Sequence, residues 1–446
     1  VTFFAKLVYA LGVRRAPLAV LVALSGIVWG GSALANEPFQ KGPYLQDVTR
    51  TQVTFMWQSD PACAGTIRVP GASLVLAAPV AQLHEVRASG LKPGRRYEYS
   101  VECGGKVAAG ELTTAAEPSE PFSFVVFGDT RDNVDQHRAL VERVRREVPD
   151  FILLTGDMVD DGANEKDWAA FFAVERELLA ENVLFPAVGN HDRHGRTRGA
   201  DAYRRYFSLP ADAPDPERYY ALSYGNTRVL VLDSNEYSFA LTDQTAWLEK
   251  ELAAAAADPV VAHRFIVMHH PPYSTSLHGG QAELREMWTP IFERYGVDAV
   301  FSGHDHVYER SEKNGVHYFV SGGGGAPLYP RDPRAKPEDV AASRYFERTL
   351  NYLRVHVVGG FVEVAALRQD GTLIENVSWG TLPQHLVAGV APSTMTSAPA
   401  AVHVASAAPA PARGCQVGEG GGAPGVAGLL LVLTRCARPR RRAGQS

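Results

Sequence analysis

Five short polar clusters each follow directly on a run of apolar, β-rich residues. They are Gly128-Asp129-Thr130-Arg131, Gly156-Asp157, Gly189-Asn190-His191-Asp192, His269-His270-Pro271-Pro272 and Gly303-His304-Asp305-His306. The apolar runs include Phe122 to Phe127, Phe151 to Leu154, Leu184 to Val188, Phe265 to Val267 and Ala299 to Phe301, with further runs at Val229 to Leu232 and Tyr318 to Val320. Helical patterns fall between several of them, at Arg138 to Val148, Trp168 to Leu179, Gln244 to Ala256 and Ala282 to Tyr295. Near-continuous apolar strands alternating with helices predict an α/β layered domain whose strands are buried on both faces. In such a sheet the ligand crevice lies beyond the carboxyl ends of the strands. Five strands ending in Asp, Asn or His would aim their side chains into one place.

The donor chemistry is coherent. Two aspartates, one amide oxygen and three imidazoles form a mixed oxygen and nitrogen set without thiolate, which suits iron, zinc or manganese. The donors exceed what one tetrahedral zinc needs, and two ions sharing a bridging carboxylate would use them all. Each residue alone has a plainer reading. Asp129 or Asp157 could cap a turn or helix, Asn190 could fill a left-handed turn position, and His269 and His270 could be satisfied core histidines. The common position at strand ends favours the metal reading.

The order Gly-Asp, Gly-Asp, Gly-Asn-His-Asp, His, Gly-His-x-His resembles that of the calcineurin-like metallophosphoesterases, and in overall layout the purple acid phosphatases. The resemblance implies a layered β-sandwich flanked by helices over residues 117–387, holding two divalent or trivalent metal ions. It implies that Asp157 bridges both ions. Asp129 and His306 would belong to the first ion, and Asn190, His269 and His304 to the second. His191 would act as general acid with Asp192 orienting it, and Arg131 and His270 would contact the phosphate ester. The implied reaction is phosphomonoester hydrolysis by metal-hydroxide attack. A phosphodiesterase and a non-catalytic surface binding protein are the alternatives. Two positions depart from the family pattern. Arg131 stands where many members place a metal-binding His, and Asp160 stands where purple acid phosphatases place a Tyr. The loop after His269 brings Tyr273 and His278 near enough to be weighed as substrate contacts. Gly322 to Gly325 lacks the following Gly-Lys-Ser/Thr of a phosphate-binding loop and reads as a tight turn beside the site.

The flanking regions differ in texture. Residues 36–116 show short alternating runs, such as Gln52 to Trp57 and Tyr97 to Val101, with turn clusters at Ser59-Asp60-Pro61 and Lys92-Pro93-Gly94. They predict a small all-β sandwich. Ala88 to Tyr99 and Lys41 to Gln46 resemble parts of the fibronectin type III-like module that precedes the catalytic domain in purple acid phosphatases. Lys6, Arg14 and Arg15 ahead of the apolar run Ala16 to Trp29, then Ala33-Leu34-Ala35, read as a signal peptide over residues 1–35 rather than a single membrane anchor. Export would permit a disulfide between Cys63 and Cys103, with two unpaired thiols as the alternative. Residues 388–413 form an Ala/Pro/Ser/Thr-rich linker. Residues 414–446 resemble a myxobacterial C-terminal sorting tag, with a disordered basic tail as the alternative; the tag would attach the protein to the cell envelope. With 44 basic against 49 acidic residues and no basic stripe in the globular part, nothing points to nucleic acid as a partner.

Overall fold

The computed structural model describes residues 38–193, 199–211, 213–215, 217–235 and 239–383. The expected signal peptide, linker and sorting tag lie outside the described residues. Among the described residues no helix is long and apolar enough to cross a membrane.

In chain order, the strands β1 (Lys41–Gln46), β2 (Gln52–Val69), β3 (Leu74–Ser89), β4 (Arg96–Cys103) and β5 (Lys106–Thr113) come first. Then follow β6 (Phe122–Phe127), α1 (Val134–Glu147), β7 (Phe151–Leu154), α2 (Glu165–Leu179), β8 (Val183–Pro186) and α3 (Asp201–Tyr206). The second half runs β9 (Tyr220–Tyr224), β10 (Thr227–Val231), α4 (Phe239–Ala257), β11 (His263–Val267), α5 (Ala282–Arg294), β12 (Ala299–Ser302), β13 (Tyr308–Lys313) and β14 (Val316–Ser321). It closes with α6 (Pro337–Ala342), β15 (Ser343–Glu347), β16 (Asn351–Val358), β17 (Phe361–Arg368) and β18 (Leu373–Gly380).

Two sheets result. The larger has the order β18-β17-β16-β6-β7-β8-β1-β2-β4-β5, with β3 paired to β2. The smaller has the order β15-β13-β14-β12-β11-β10-β9. Within them β6, β7 and β8 are parallel, as are β10, β11, β12 and β14. Aromatic rings join the sheets face to face. Phe124 of β6 lies 5.8 Å from Phe265 of β11 and 6.1 Å, edge-on, from Phe301 of β12 (ring centroids). Outside the smaller sheet, Trp247, Leu248 and Leu252 of α4 and Leu284, Trp288 and Phe292 of α5 share a core with Ile266 and Val300. Leu140, Val141 and Val144 of α1 and Phe171, Phe172 and Leu178 of α2 join the main core of the larger sheet. The architecture is a β-sandwich flanked by helices, as the family resemblance implies.

Local chemistry sets the helix starts. The Asn133 side chain accepts from the Gln136 amide at 3.2 Å, and Asn164 accepts from Lys166 at 3.1 Å, so each caps a helix. Val148 ends the first helix in the left-handed conformation, ahead of Pro149.

The amino-terminal strands differ from expectation in two ways. Ser59-Asp60-Pro61 is no turn: β2 runs through it, and the pairing with β3 shifts register between Gln58 and Cys63. A Pro in a strand is tolerated at such an irregularity because it removes a ladder donor. Moreover, β1 pairs parallel with β8, so β1 to β5 extend the large sheet. Cys63 of β2 and Cys103 of β4 form a disulfide.

Candidate metal centre

The glycines that open four of the five clusters are there for close approach. A Cβ at Gly189 would lie 2.1 Å from Asp157 Oδ1, and one at Gly303 would lie 2.3 Å from Asp129 Oδ2. No side chain fits at either place without displacing a carboxylate. Three of the candidate ligands are themselves left-handed: Asp129 (φ 56°), Asp157 (φ 54°) and His304 (φ 68°). Such non-glycine conformations cost roughly 1–3 kcal/mol each and collect at functional sites. Hydrogen bonds across the clusters hold them. The Asp129 carboxylate accepts from the His304 amide at 3.0 and 3.1 Å, and Asp157 Oδ1 accepts from the His191 amide at 2.9 Å.

These turns bring the donors together at the strand ends. His269 Nε2 lies 3.0 Å from Asn190 Oδ1 and 3.4 Å from Asp157 Oδ1. His306 Nε2 lies 3.4 Å from Asp129 Oδ1. Donor atoms of Asp129, Asp157 and His269 are all within 4.8 Å of one another, and so are those of His269, His270 and His304. Backbone carbonyls set the ring orientations. His269 Nδ1 donates to Thr155 at 2.9 Å and His306 Nδ1 to Pro327 at 2.7 Å, which leaves each Nε2 lone pair facing the centre. Burial, reinforced by His270 and His269, pushes the His304 imidazole far below its usual range, so it stays neutral and able to ligate. For His306 burial acts downward too, but the hydrogen bond and charge of Asp129 outweigh it and the net shift is upward.

Asp129 and Asp157 are 0% and 1% exposed. Buried carboxylates need a cation or a full set of donors. Their pairing with an amide oxygen and imidazole Nε2 atoms is a donor set that two iron, zinc or manganese ions fit.

The remaining predicted residues sort as follows. His191 is half-buried, and its Nδ1 donates to the Asp160 carbonyl at 2.7 Å. Asp192 does not orient it. The Asp192 carboxylate is fully buried and accepts from the amides of Gly189 (2.8 Å), Asp157 (2.9 Å), Met158 (2.8 Å) and Val159 (3.3 Å). Its place is under the two motif turns, and burial with the Asp157 charge beside it pushes its pKa up to about 7 against those amide donors. Arg131 does reach the centre: Nε is 3.4 Å from Asp157 Oδ2, and Nη1 is 3.4 Å from Asp160 Oδ1. His270 is 5% exposed, with Nδ1 2.9 Å from Ser234 Oγ and its ring 4.3 Å from His304. It belongs to the imidazole wall, while His278 is exposed and lies 4.5 Å ring to ring from His304. Tyr273 packs on Tyr318 in the second core and faces no site.

Two features had no signal in the motifs. Tyr329 stacks on His306 (4.1 Å, 17°) and lies beside the Arg131 charge. Gly322 to Gly325 is not a tight turn but a close-packed segment: Gly324 donates to Gly128 O at 2.9 Å and Ala326 to Asp129 O at 3.0 Å. A Cβ at Gly324 would lie 2.2 Å from Gly128 O.

Comparison with known proteins agrees with this geometry. Residues 122–308 match the family model of the calcineurin-like phosphoesterases. An uncharacterized protein of Mycobacterium tuberculosis is 28% identical over 268 residues, covering 52% of this chain and 51% of that protein. A purple acid phosphatase of Glycine max is 28% identical over 266 residues, covering 55% and 56%. The chain thus spans about half the length of the first curated relatives it matches, 51% in the mycobacterial case. The solved structure of a purple acid phosphatase from yellow lupin (Lupinus luteus) seeds superposes with a TM-score of 0.66 at 17% identity, covering 80% of this chain and 78% of that one. Residues 122–308 are therefore similar to the calcineurin-like phosphoesterases, within a chain that has the fold of the lupin purple acid phosphatase.

Proposed function

We propose that the protein is a metal-dependent phosphoesterase that hydrolyses phosphomonoesters at a two-ion centre. The observation that carries this reading is the convergence of Asp129, Asp157 and His269 donor atoms within 4.8 Å at the carboxyl ends of three strands. Asp157 would serve both ions, Asp129 and His306 one, and Asn190, His269 and His304 the other. When bound, the ions supply Lewis-acid activation of water and neutralise charge at phosphorus. With Nδ1 committed to the Asp160 carbonyl, a protonated His191 presents its Nε2–H to the departing alcohol oxygen. The Arg131 guanidinium and the exposed His278 ring flank the centre where phosphate oxygens would sit.

The disulfide fits an oxidising compartment, so we place the working protein outside the reducing cytoplasm. The test strips the protein of metal, reloads it singly with iron, zinc or manganese, and follows a chromogenic phosphomonoester and its diester counterpart. Metal-restored turnover, lost in Asp157→Ala, is the expected result. A preference for the diester would change the substrate class to phosphodiester. No turnover on either ester with any metal bound would shift the reading to a non-catalytic binding protein.

A further inference from the structure

The two sides of the centre are unequal, and Arg131 is the reason. Asp157 turns its two oxygens in different directions. Oδ1 lies 3.4 Å from His269 Nε2, on the side that also carries Asn190 and His304. Oδ2 lies 3.4 Å from Arg131 Nε. That Nε–H is buried and has no hydrogen-bond partner, and the whole side chain is 11% exposed. Its Nη1 is held by Asp132 at 2.5 Å and by Asp160 at 3.4 Å, and Tyr329, which stacks on the His306 ring, lies beside the same charge. The guanidinium therefore stands on the Asp129–His306 side as a fixed charge.

We propose that the protein binds its two ions with unequal affinity. One sits tightly on Asp157, Asn190, His269 and His304. The other sits loosely on Asp157, Asp129 and His306, because the Arg131 cation stands beside the shared carboxylate there. The first set offers four protein donors and the second offers three. The guanidinium adds like-charge repulsion at a carboxylate that both ions must share, in a low-dielectric surround where such repulsion is strong. Arg131 and Asp160 touch each other, so the two positions form one local substitute for a ligand: a cation with its own anchor. The inference rests on the two-ion reading above and sharpens it.

Titration of metal-free protein with zinc or manganese, read by calorimetry and by metal content after gel filtration, tests it. The wild type should retain one ion and bind the second about 10- to 100-fold more weakly, the range by which neighbours of metal ligands alter affinity. Arg131→Ala should narrow that gap, and Arg131→His, which replaces the cation by an imidazole donor, should retain two ions. Two ions of equal affinity in the wild type would overturn the inference and leave the phosphoesterase reading standing. So would a second ion weakened by Arg131→Ala in protein whose unfolding curve matches the wild type. Binding of no ion at all would overturn both. Since the wild-type titration decides by itself, a variant that failed to fold would not rescue the idea.

Discussion

At the residue scale, His191 and Asp192 are neighbours in sequence with separate duties. His191 is half-buried, with Nδ1 fixed on the Asp160 carbonyl at 2.7 Å. His191→Ala should lower kcat about 10²- to 10⁴-fold, the usual weight of a general acid, while metal content and unfolding midpoint stay put. Loss of metal together with activity would mean that the ring is a ligand instead. Asp192 lies under the Gly156-Asp157 and Gly189-Asn190 turns and accepts four backbone amides. Asp192→Ala strands those donors in a buried place, at about 1–3 kcal/mol for each group left unsatisfied. Urea unfolding of the metal-free protein should show a loss of about 3 kcal/mol or more, with weaker metal binding following from the displaced Asp157. Unchanged stability with reduced kcat would restore the orienting role expected from sequence. That expectation went astray because adjacency in a motif says nothing about direction. The turn that leaves His191 half-exposed buries the next side chain completely. The candidate donors were legible for the opposite reason: each lies within a few residues of the end of an apolar strand, and strand direction fixes where such groups go. Tyr329 was not legible, since its place beside His306 depends on a segment packed through glycines from elsewhere in the chain.

At the element scale, strands that are buried on both faces announce themselves, and their ends follow to within a residue or two. Phe122 to Phe127 and Phe151 to Leu154 match the observed strands at both ends. Asn351 to Leu367 forms a hairpin around Gly359-Gly360. Edge strands are less visible: β18 has only exposed and half-buried residues, so its sequence carries little apolar signal. The Ser59-Asp60-Pro61 cluster misled because turn-forming residues also serve where a strand changes register. Just beyond that irregularity the disulfide fastens β2 to β4 across a separation of 40 residues. Closing a loop of that size restricts the unfolded chain and typically stabilises by about 2–4 kcal/mol. The double variant Cys63→Ser, Cys103→Ser should lose stability in that range, measured by urea unfolding under non-reducing conditions. Because both cysteines are remote from the strand ends that hold the metal donors, the variant's turnover at low temperature should match the wild type.

At the scale of the whole molecule, the amino-terminal strands are part of the large sheet. Alternating short runs predict a self-contained sandwich over 36–116, yet β1 lies against β8 in the large sheet. Buried links cross the seam. The Tyr44 hydroxyl donates to the Tyr206 carbonyl at 2.8 Å, Arg176 donates to the carbonyl oxygen of Gly42 at 3.0 Å, and the Tyr44 ring sits 4.9 Å from Phe172. Lys41, only 4% exposed, donates to Gln58 at 2.6 Å and to Tyr206 at 3.1 Å, and its charge lies 4.2 Å above the Tyr206 ring. One apolar core takes in Phe39, Tyr44 and Phe55 together with Phe172, Phe185 and Leu367. A sequence pattern reports which face of a strand is apolar, and it does not report which neighbour covers that face. Protein beginning at residue 117 would expose the edge of β8 and the α2 surface under Tyr44, both of which favour aggregation. Such a truncated chain is expected to be insoluble or to lack a cooperative unfolding transition. A soluble, cooperatively folding 117–383 with metal-dependent turnover would instead show that the seam is a docking surface between two units able to fold apart.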